Sequence, residues 1–205
     1  MPRRTFDFDE PDRFIAGAVG QPGQRAFFLQ ARKGRRTISV ALEKIQVAAL
    51  ADRLGRLILE LEANERIPAA AGATADAVLE VPLEAEFRVG TIAFGWDGEH
   101  SAFLVEARAV TEEDEEADDE PVGLAGLEAV IEEAADDEDE DDDDDPDDPD
   151  GPDILRVRLT ATAARAFVEH AHRVVAAGRP PCPICGNPLD PGGHICPRRN
   201  GSYVN

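Results

Sequence analysis

The sequence predicts an α+β protein in which one antiparallel sheet carries two helices on one face. Runs rich in strand-forming residues, bounded by Pro-Gly, Lys-Gly and Asp-Gly turn signals, indicate the strands. Two segments with apolar residues every three or four positions indicate the helices. A cluster that holds every cysteine of the chain, within residues 182–196, adds a small C-terminal metal knuckle to this fold class.

The composition limits the compartment and the size of the fold. A chain of 205 residues suffices for one domain with appendages. Three cysteines are an odd number, which fits a reducing compartment better than a disulfide scaffold. No apolar stretch follows the N-terminal arginines, and no run reaches the roughly 18 apolar residues of a membrane span. We therefore expect a cytoplasmic protein without membrane contact.

The first strands form a predicted antiparallel meander over Arg13–Val19, Ala26–Arg32 and Arg36–Leu42. Gln21-Pro22-Gly23-Gln24 has proline and glycine where a type II turn requires them. Lys33-Gly34 marks the second turn.

The apolar period then changes to that of a helix, which we predict from about Glu43 to Asn64. Residues 65–78 are rich in small residues, which is typical of a linker. A hairpin follows, with strands at about Glu86–Gly95 and Ser101–Val110 joined at Asp97-Gly98.

The last predicted strand runs from Ile154 to Leu159, and Thr160 has the chemistry of an N-cap for a helix that ends near Gly178. SVALEKIQVAALADRLGRLIL and RVRLTATAARAFVEHAHRVVA both pass from a strand directly into an amphipathic helix. This weak echo, of pattern rather than of residues, raises the hypothesis of an internal duplication.

One segment carries the acidity of the chain. Residues 112–150 contain 24 of the 43 acidic residues and no lysine or arginine. We assign 1–111 and 152–179 to a single α+β domain, 112–151 to an acidic, largely disordered insertion, and 180–205 to a zinc-knuckle tail. The insertion is either a solvated loop, a docking site for a basic partner, or a mimic of nucleic-acid charge.

Within the insertion, Pro121–Ala135 interrupts the acids with apolar residues at helical spacing. Two alternatives stay open for it: a binding segment that folds on contact, or a short helix packed on the parent sheet.

The cysteine cluster predicts a structural zinc site with the ligands Cys182, Cys185, His194 and Cys196. Cys182 and Cys185 are separated by two residues, and such a pair turns tightly enough to place both thiolates on one ion. His194 and Cys196 are separated by one residue, so their side chains point to the same side of an extended segment. Four nitrogen and sulfur ligands suit tetrahedral zinc. The alternatives are three ordinary thiols, a Cys-Pro-x-Cys redox pair, and a catalytic zinc with an open position.

Several phrases resemble an actinobacterial family of unknown function, DUF3090: DRFIAGAVGQPGQRAFFLQA, SVALEKIQVAALADRLG, EFRVGTIAFGWD and AGRPPCPICGNPLDPGGHICPRRNG. The resemblance covers the chain outside the acidic insertion. It implies an uncharacterised cytoplasmic protein with a cysteine-containing C-terminus, and it brings no activity, substrate or catalytic residue.

Three functional hypotheses follow. The first is a non-enzymatic adaptor or regulatory protein that binds a protein partner. The second is a nucleic-acid or transcription-associated protein whose zinc tail is flanked by arginines. The third is an enzyme with a cleft between sheet and helices, for which no mechanism can be assembled. The histidines do not supply one, because we expect His100, His170 and His172 to be surface residues. The arginines of the second hypothesis are Arg165, Arg173, Arg179, Arg198 and Arg199, and the residues of the third are Glu86, Arg88, Asp97 and His100.

Overall fold

The computed structural model describes residues 3–21, 23–69, 77–111, 127–129, 151–178 and 184. In chain order the elements are β1 (Thr5–Asp9), β2 (Arg13–Val19), β3 (Ala26–Lys33), β4 (Arg36–Leu42), α1 (Lys44–Ala63), β5 (Ala85–Asp97), β6 (Ala102–Ala109), β7 (Leu127–Ala129), β8 (Ile154–Leu159) and α2 (Ala161–Ala176).

Seven strands form a sheet in the order β1-β8-β6-β5-β4-β3-β2, and β7 pairs with β5. The α+β class with two helices is confirmed, but the prediction of a purely antiparallel sheet is wrong. The pairs β1–β8, β4–β5 and β5–β7 are parallel. Helix α1 lies between β4 and β5 in the chain, as the crossover connection that parallel neighbours require.

Local sequence patterns located most of the elements. Strands β2, β4 and β8 begin and end as predicted. Thr160 accepts a hydrogen bond from the Ala163 N–H at 3.2 Å and caps α2. The β5–β6 connection is longer than a tight Asp-Gly turn: Asp97 pairs with Ala102, which leaves residues 98–101 as the loop.

The predicted helix over Pro121–Ala135 is wrong at the three residues that the structure describes there. Leu127–Ala129 form the short strand β7, which pairs with Ile92, Ala93 and Phe94 of β5. Strand β4 pairs only with the beginning of β5, so the later residues of β5 leave an edge to which a strand can bind. The rest of residues 112–150 lies outside the described residues.

The connection between β1 and β2 shows that the sheet is curled. These strands stand at opposite ends of the strand order, yet only Glu10–Asp12 join them. Seven flat strands would place the end strands roughly 29 Å apart, whereas the chain from Asp9 to Arg13 reaches about 14 Å at most. Lys33 Nζ of β3 donates a hydrogen bond to the Asp9 carbonyl, which brings β3 beside β1.

Both helices and the inward-facing residues of the strands form one buried hydrophobic cluster. The rings of Phe14 in β2 and Phe167 in α2 stack with centroids 4.8 Å apart. Trp96 and Phe103 pack edge to face across the β5–β6 hairpin, with ring centroids 4.9 Å apart. The beginning and the end of the fold therefore share a single core.

The chain contains the same fold unit twice, which gives the predicted echo a structural basis. We call β2-β3-β4-α1 the first half and β5-β6-β8-α2 the second half; in each, three antiparallel strands lead into a helix. The registers agree, since Phe27 pairs with Leu42 in the first half and Phe103 pairs with Leu159 in the second.

A likeness of residues accompanies this likeness of register. Strand β3 contains AFFLQAR at 26–32, and the equivalent strand β6 contains AFLVEAR at 102–108. Each helix cap follows its strand by one residue, at Glu43 and at Thr160. The halves are thus equivalent position by position along β3 and β6.

Candidate functional site

The predicted zinc ligands Cys182, Cys185, His194 and Cys196 lie outside the described residues, so the zinc site stays a prediction. Among the residues that the structure does describe, no group of three or more histidine, cysteine or carboxylate side chains is arranged to hold a metal ion.

The described part of the chain offers a different kind of site on the outer side of the sheet. In β3, Leu29 and Ala31 are buried in the core, so the alternate residues Gln30 and Arg32 point to the opposite side. We call this surface of the first half the first outer face. Its residues are Arg13, Gly17, Gln30, Arg32, Thr37 and Ser39.

The main chain of Glu80 is bound to this face by one side chain. The Gln30 Oε1 accepts the Glu80 N–H at 2.8 Å, and the Gln30 Nε2 donates to the Glu80 carbonyl at 3.2 Å. Gln30 is only 1% exposed, and its amide is oriented by Ser39 Oγ at 3.0 Å. An amide side chain that both donates and accepts can bind the N–H and the carbonyl of one residue, as the main chain of a neighbouring strand would.

The Glu80 carboxylate is held by three side chains of the same face. Arg32 Nη1 lies 2.6 Å and Arg13 Nη2 2.8 Å from Oε1, while Thr37 Oγ1 donates to Oε2 at 3.0 Å. Partial desolvation would raise the pKa of the Glu80 carboxyl, but the Thr37 hydrogen bond and the two arginine charges outweigh it. The pKa is therefore lowered, and the carboxylate is ionised at neutral pH.

The neighbouring Leu79 packs where β2 has no side chain. Three side-chain atoms of Leu79 lie 2.4–2.8 Å from the position that a Cβ on Gly17 would occupy. Glycine is thus required at this position for the leucine to lie flat on the strand. Together these contacts recognise an extended segment by its main chain, its apolar residue and the carboxylate that follows.

The equivalent surface of the second half, which we call the second outer face, also carries charged residues. Glu106 is 8% exposed, and its Oε1 lies 2.5 Å from Arg156 Nε. Arg108 Nη2 lies 3.7 Å from the other oxygen of Glu106. The residues of the second outer face are Thr91, Gly95, Glu106, Arg108 and Arg156.

The structure does not bring the candidate catalytic residues together in one cleft. Glu86 pairs with Arg4 at 3.0 Å at the start of β5, and Asp97 pairs with His100 at 2.7 Å at its end. Arg88 and Asp97 are nine residues apart on one strand, which corresponds to roughly 30 Å. These residues form separate ion pairs.

The carboxyls of Asp97 and Asp153 are ionised for structural reasons. The main-chain N–H of His100 is the largest cause that lowers the pKa of Asp97, and the hydrogen bond closes the β5–β6 loop. Desolvation would raise the pKa of Asp153, but its hydrogen bonds from Arg4 outweigh this effect and lower it. Each group accepts hydrogen bonds that fix the chain.

Two residues of α2 differ from the sequence-based expectation. His170 is buried, not on the surface, and its Nε2 lies 3.0 Å from the Ala16 carbonyl of β2. Arg165 is 7% exposed and pairs with Glu62 of α1 at 2.6 Å, so it cannot belong to an exposed basic patch. His100 and His172 are exposed, as expected.

Sequence reasoning missed Leu79 and Glu80 because the preceding residues have linker composition. A signal was present, since Leu79-Glu80-Val81-Pro82 ends a run of small residues with a bulky apolar residue and an acid. The likeness of AFFLQAR to AFLVEAR would have revealed the two equivalent faces.

Comparison with known proteins assigns the chain to a family but not to a function. Residues 6–196 match the family model described as "Protein of unknown function (DUF3090)". No curated protein and no solved structure matches the chain. Within the described residues, neither helix combines the length and the apolar character that a membrane crossing requires.

Proposed function

We propose that this chain, which belongs to the DUF3090 family of proteins of unknown function, is a non-enzymatic, zinc-binding adaptor or regulatory protein that binds a protein partner in the cytoplasm. The first outer face carries this proposal, because it is a sheet surface that holds a protein segment. The segment is the chain's own Leu79-Glu80, bound through its main chain and its carboxylate.

The state of the carboxyl groups supports a binding role. A carboxyl that acts as a general acid at neutral pH requires a raised pKa. The pKa values of Glu80, Asp97 and Asp153 are instead lowered, and in each case arginine or main-chain donors stabilise the charged form. Such groups hold chain segments in place.

The zinc part of the proposal depends on the chemistry of the tail. Cys182, Cys185, His194 and Cys196 supply three thiolates and an imidazole, a ligand set for a closed tetrahedral site with bonds of about 2.0–2.3 Å. Residues 180–205 contain few large apolar side chains, so burial alone stabilises little structure there. Bound zinc would supply the missing folding free energy.

Metal analysis of the purified full-length protein tests the zinc site. We expect about one zinc per chain, and we expect Cys196→Ser to lower the zinc content sharply because one of four ligands is lost. Ser202→Ala, in the same tail but outside the ligand set, is the matched control and should retain the metal. A chain that contains no zinc, or a Cys196→Ser variant that retains it fully, would refute this part of the proposal.

Salt-dependent binding separates the adaptor from a nucleic-acid-binding protein. The probe is a labelled DNA duplex of random sequence, titrated with the full chain and with a chain that lacks residues 112–150. An adaptor should show no gain in affinity for DNA when the acids are removed. Affinity that rises on deletion and falls steeply with added salt would favour the nucleic-acid alternative.

A partner should then be recovered from native lysate with both chains and reconstituted from purified components. The adaptor proposal expects one protein to bind both in lysate and in reconstitution. Retention that fails with purified components would contradict it.

A further inference from the structure

We propose that Leu189 and Asp190 of the tail dock on the second outer face in the way that Leu79 and Glu80 dock on the first. This inference follows from the repeated fold unit. It goes beyond the proposed function, because the docking requires neither zinc nor a partner protein.

The register of the two halves defines which positions correspond. Gly17 pairs with Phe28 in the first half, and Gly95 pairs with Leu104 in the second. Phe28 and Leu104 occupy the same place in AFFLQAR and AFLVEAR. Gly95 is therefore the equivalent of Gly17, and by the same alignment Glu106 corresponds to Gln30 and Arg108 to Arg32.

The second outer face has a glycine at the same point as the first. Leu79 lies flat on Gly17 only because a Cβ is absent there. Gly95 likewise has no side chain on β5, and it is buried, as Gly17 is. Leu189 would lie over Gly95 as Leu79 lies over Gly17, with Arg158 of β8 at the register position that Ala41 of β4 has in the first half.

The polar groups of the second outer face can bind the same main-chain atoms. Glu106 supplies a carboxylate oxygen to accept an N–H, as Gln30 Oε1 does for Glu80. Glu106 pairs in register with Arg156, whereas Gln30 pairs with Ser39. A carboxylate cannot donate to a carbonyl, so in this proposal the donor comes from the guanidinium of Arg156, whose Nε contacts Glu106.

The charge at the next position also matches. Arg32 Nη1 holds the Glu80 carboxylate at 2.6 Å. Arg108 stands at the equivalent position in β6, so a segment that docks here should carry an acidic residue directly after its leucine. The second outer face thus fits a Leu-acid dipeptide in an extended chain.

The chain contains a suitable segment in the equivalent place. A leucine followed by an acid, with a proline within the next two residues, occurs at Leu79-Glu80-Val81-Pro82 and at Leu189-Asp190-Pro191 and nowhere else in the sequence. Each follows the helix of its own half. The residues from the end of α2 to Leu189 can extend to roughly 43 Å, well beyond the roughly 24 Å length of α2.

The acidic insertion fits this face less well. Leu127-Glu128 is a further Leu-acid pair, but it lies in β7, where it pairs with β5 within the sheet. Residues 136–150 are acids and prolines without a leucine to place over Gly95. The tail is therefore the occupant that the observations favour.

Docking would fix the position of the proposed zinc knuckle. Leu189 and Asp190 lie between the pair Cys182 and Cys185 and the pair His194 and Cys196. A contact at the tip of this loop would hold the knuckle against β5 and β6. A partner would then meet the tail and the sheet as one surface.

Hydrogen exchange of the full-length protein, read by mass spectrometry, tests the docking. In the wild type we expect protection of the amides at residues 186–190. Arg108→Glu should reduce this protection by about tenfold or more, since a charge-assisted hydrogen bond is lost. The matched variant Arg32→Glu should act on residues 77–81 instead. Adding Asp190→Arg to Arg108→Glu should restore the protection.

A milder variant keeps the test decisive if Arg108→Glu fails to fold. Gly95→Ala places a Cβ in the space proposed for Leu189 and should expose residues 186–190, while Gly17→Ala exposes residues 77–81. Unchanged exchange at 186–190 in either folded variant of the second outer face overturns the proposal. Increased exchange within residues 112–150 would instead identify the acidic insertion as the occupant.

Zinc measured in the same samples separates this proposal from the proposed function. If the chain holds no zinc but Arg108→Glu and Asp190→Arg compensate each other, the docking stands and the zinc site fails. If zinc is present and the two changes act independently, the zinc site stands and the docking fails.

Discussion

The two halves of the molecule share their core-facing residues and differ on their outer faces. Phe27 and Phe103 occupy the same register position in β3 and β6, and both are buried. On the outer side, the first half has the neutral Gln30 where the second has Glu106. Packing therefore fixes the inner positions closely. The outer faces keep a glycine and an arginine at equivalent positions but differ in the polar group between them, and the connections differ most.

The connections show the same contrast. Strands β3 and β4 are joined by Gly34-Arg35, where Gly34 has a φ of +60° that suits a tight turn. The equivalent strands β6 and β8 are separated by residues 110–153, which carry the acidic insertion. A hairpin end that faces solvent can accept a long insertion at little cost in free energy.

The largest expected effect tests whether the halves fold as one unit. Phe27→Ala and Phe103→Ala should each lower the free energy of unfolding by about 3–5 kcal/mol, because each leaves a cavity in the shared core. Chemical denaturation should show a single transition for both variants. Two separate transitions would show that each half has its own core and would break the equivalence.

A smaller but still large effect concerns the ion pair that joins the two helices. Arg165→Ala leaves Glu62 without its partner between α1 and α2 and should cost about 3–5 kcal/mol. Arg88→Ala, which breaks the exposed pair with Glu43, is the matched control and should cost less than about 1 kcal/mol. Equal costs for the two variants would contradict a buried link between the halves.

Much of the fold could be predicted from the sequence because its signals are local. Strand β8 alternates apolar residues with arginines, and Thr160 directly after it has the chemistry of the N-cap that begins α2. Strand β1 and the parallel pairs were missed because their partners are far apart in the chain, as Phe6 and Leu155 are. A local pattern carries no information on such pairings.

The candidate site was harder to predict for the same reason. The binding role of Gln30 cannot be recognised from the sequence of β3 alone, because its partner, the main chain of Glu80, is 50 residues away in the chain. His170 was assigned to the surface, although its spacing from Phe167 places it on the apolar side of α2, which the structure shows to be buried. The zinc ligands were predicted from spacing alone and remain a prediction.

The smallest expected effect is the pH dependence of the first outer face. The folded pKa of Glu80 is lowered, so its ionised form stabilises the fold fully above the unfolded pKa, near 4.5, and this contribution is lost as pH falls through the folded pKa. The stability difference between wild type and Glu80→Gln, measured by urea denaturation, should therefore shrink as the pH is lowered from 7 to 3. Glu60→Gln, on the exposed side of α1, is the control for loss of a surface charge. A difference that is constant with pH would contradict the role of Glu80.

A crystal structure of the full-length protein would test the equivalence of the two outer faces most directly. We expect the Leu189 side chain to lie within about 4 Å of Gly95, with the Asp190 carboxylate beside Arg108, as Leu79 and Glu80 lie on Gly17 and Arg32. Density for another segment over Gly95, or a tail that lies elsewhere, would contradict it.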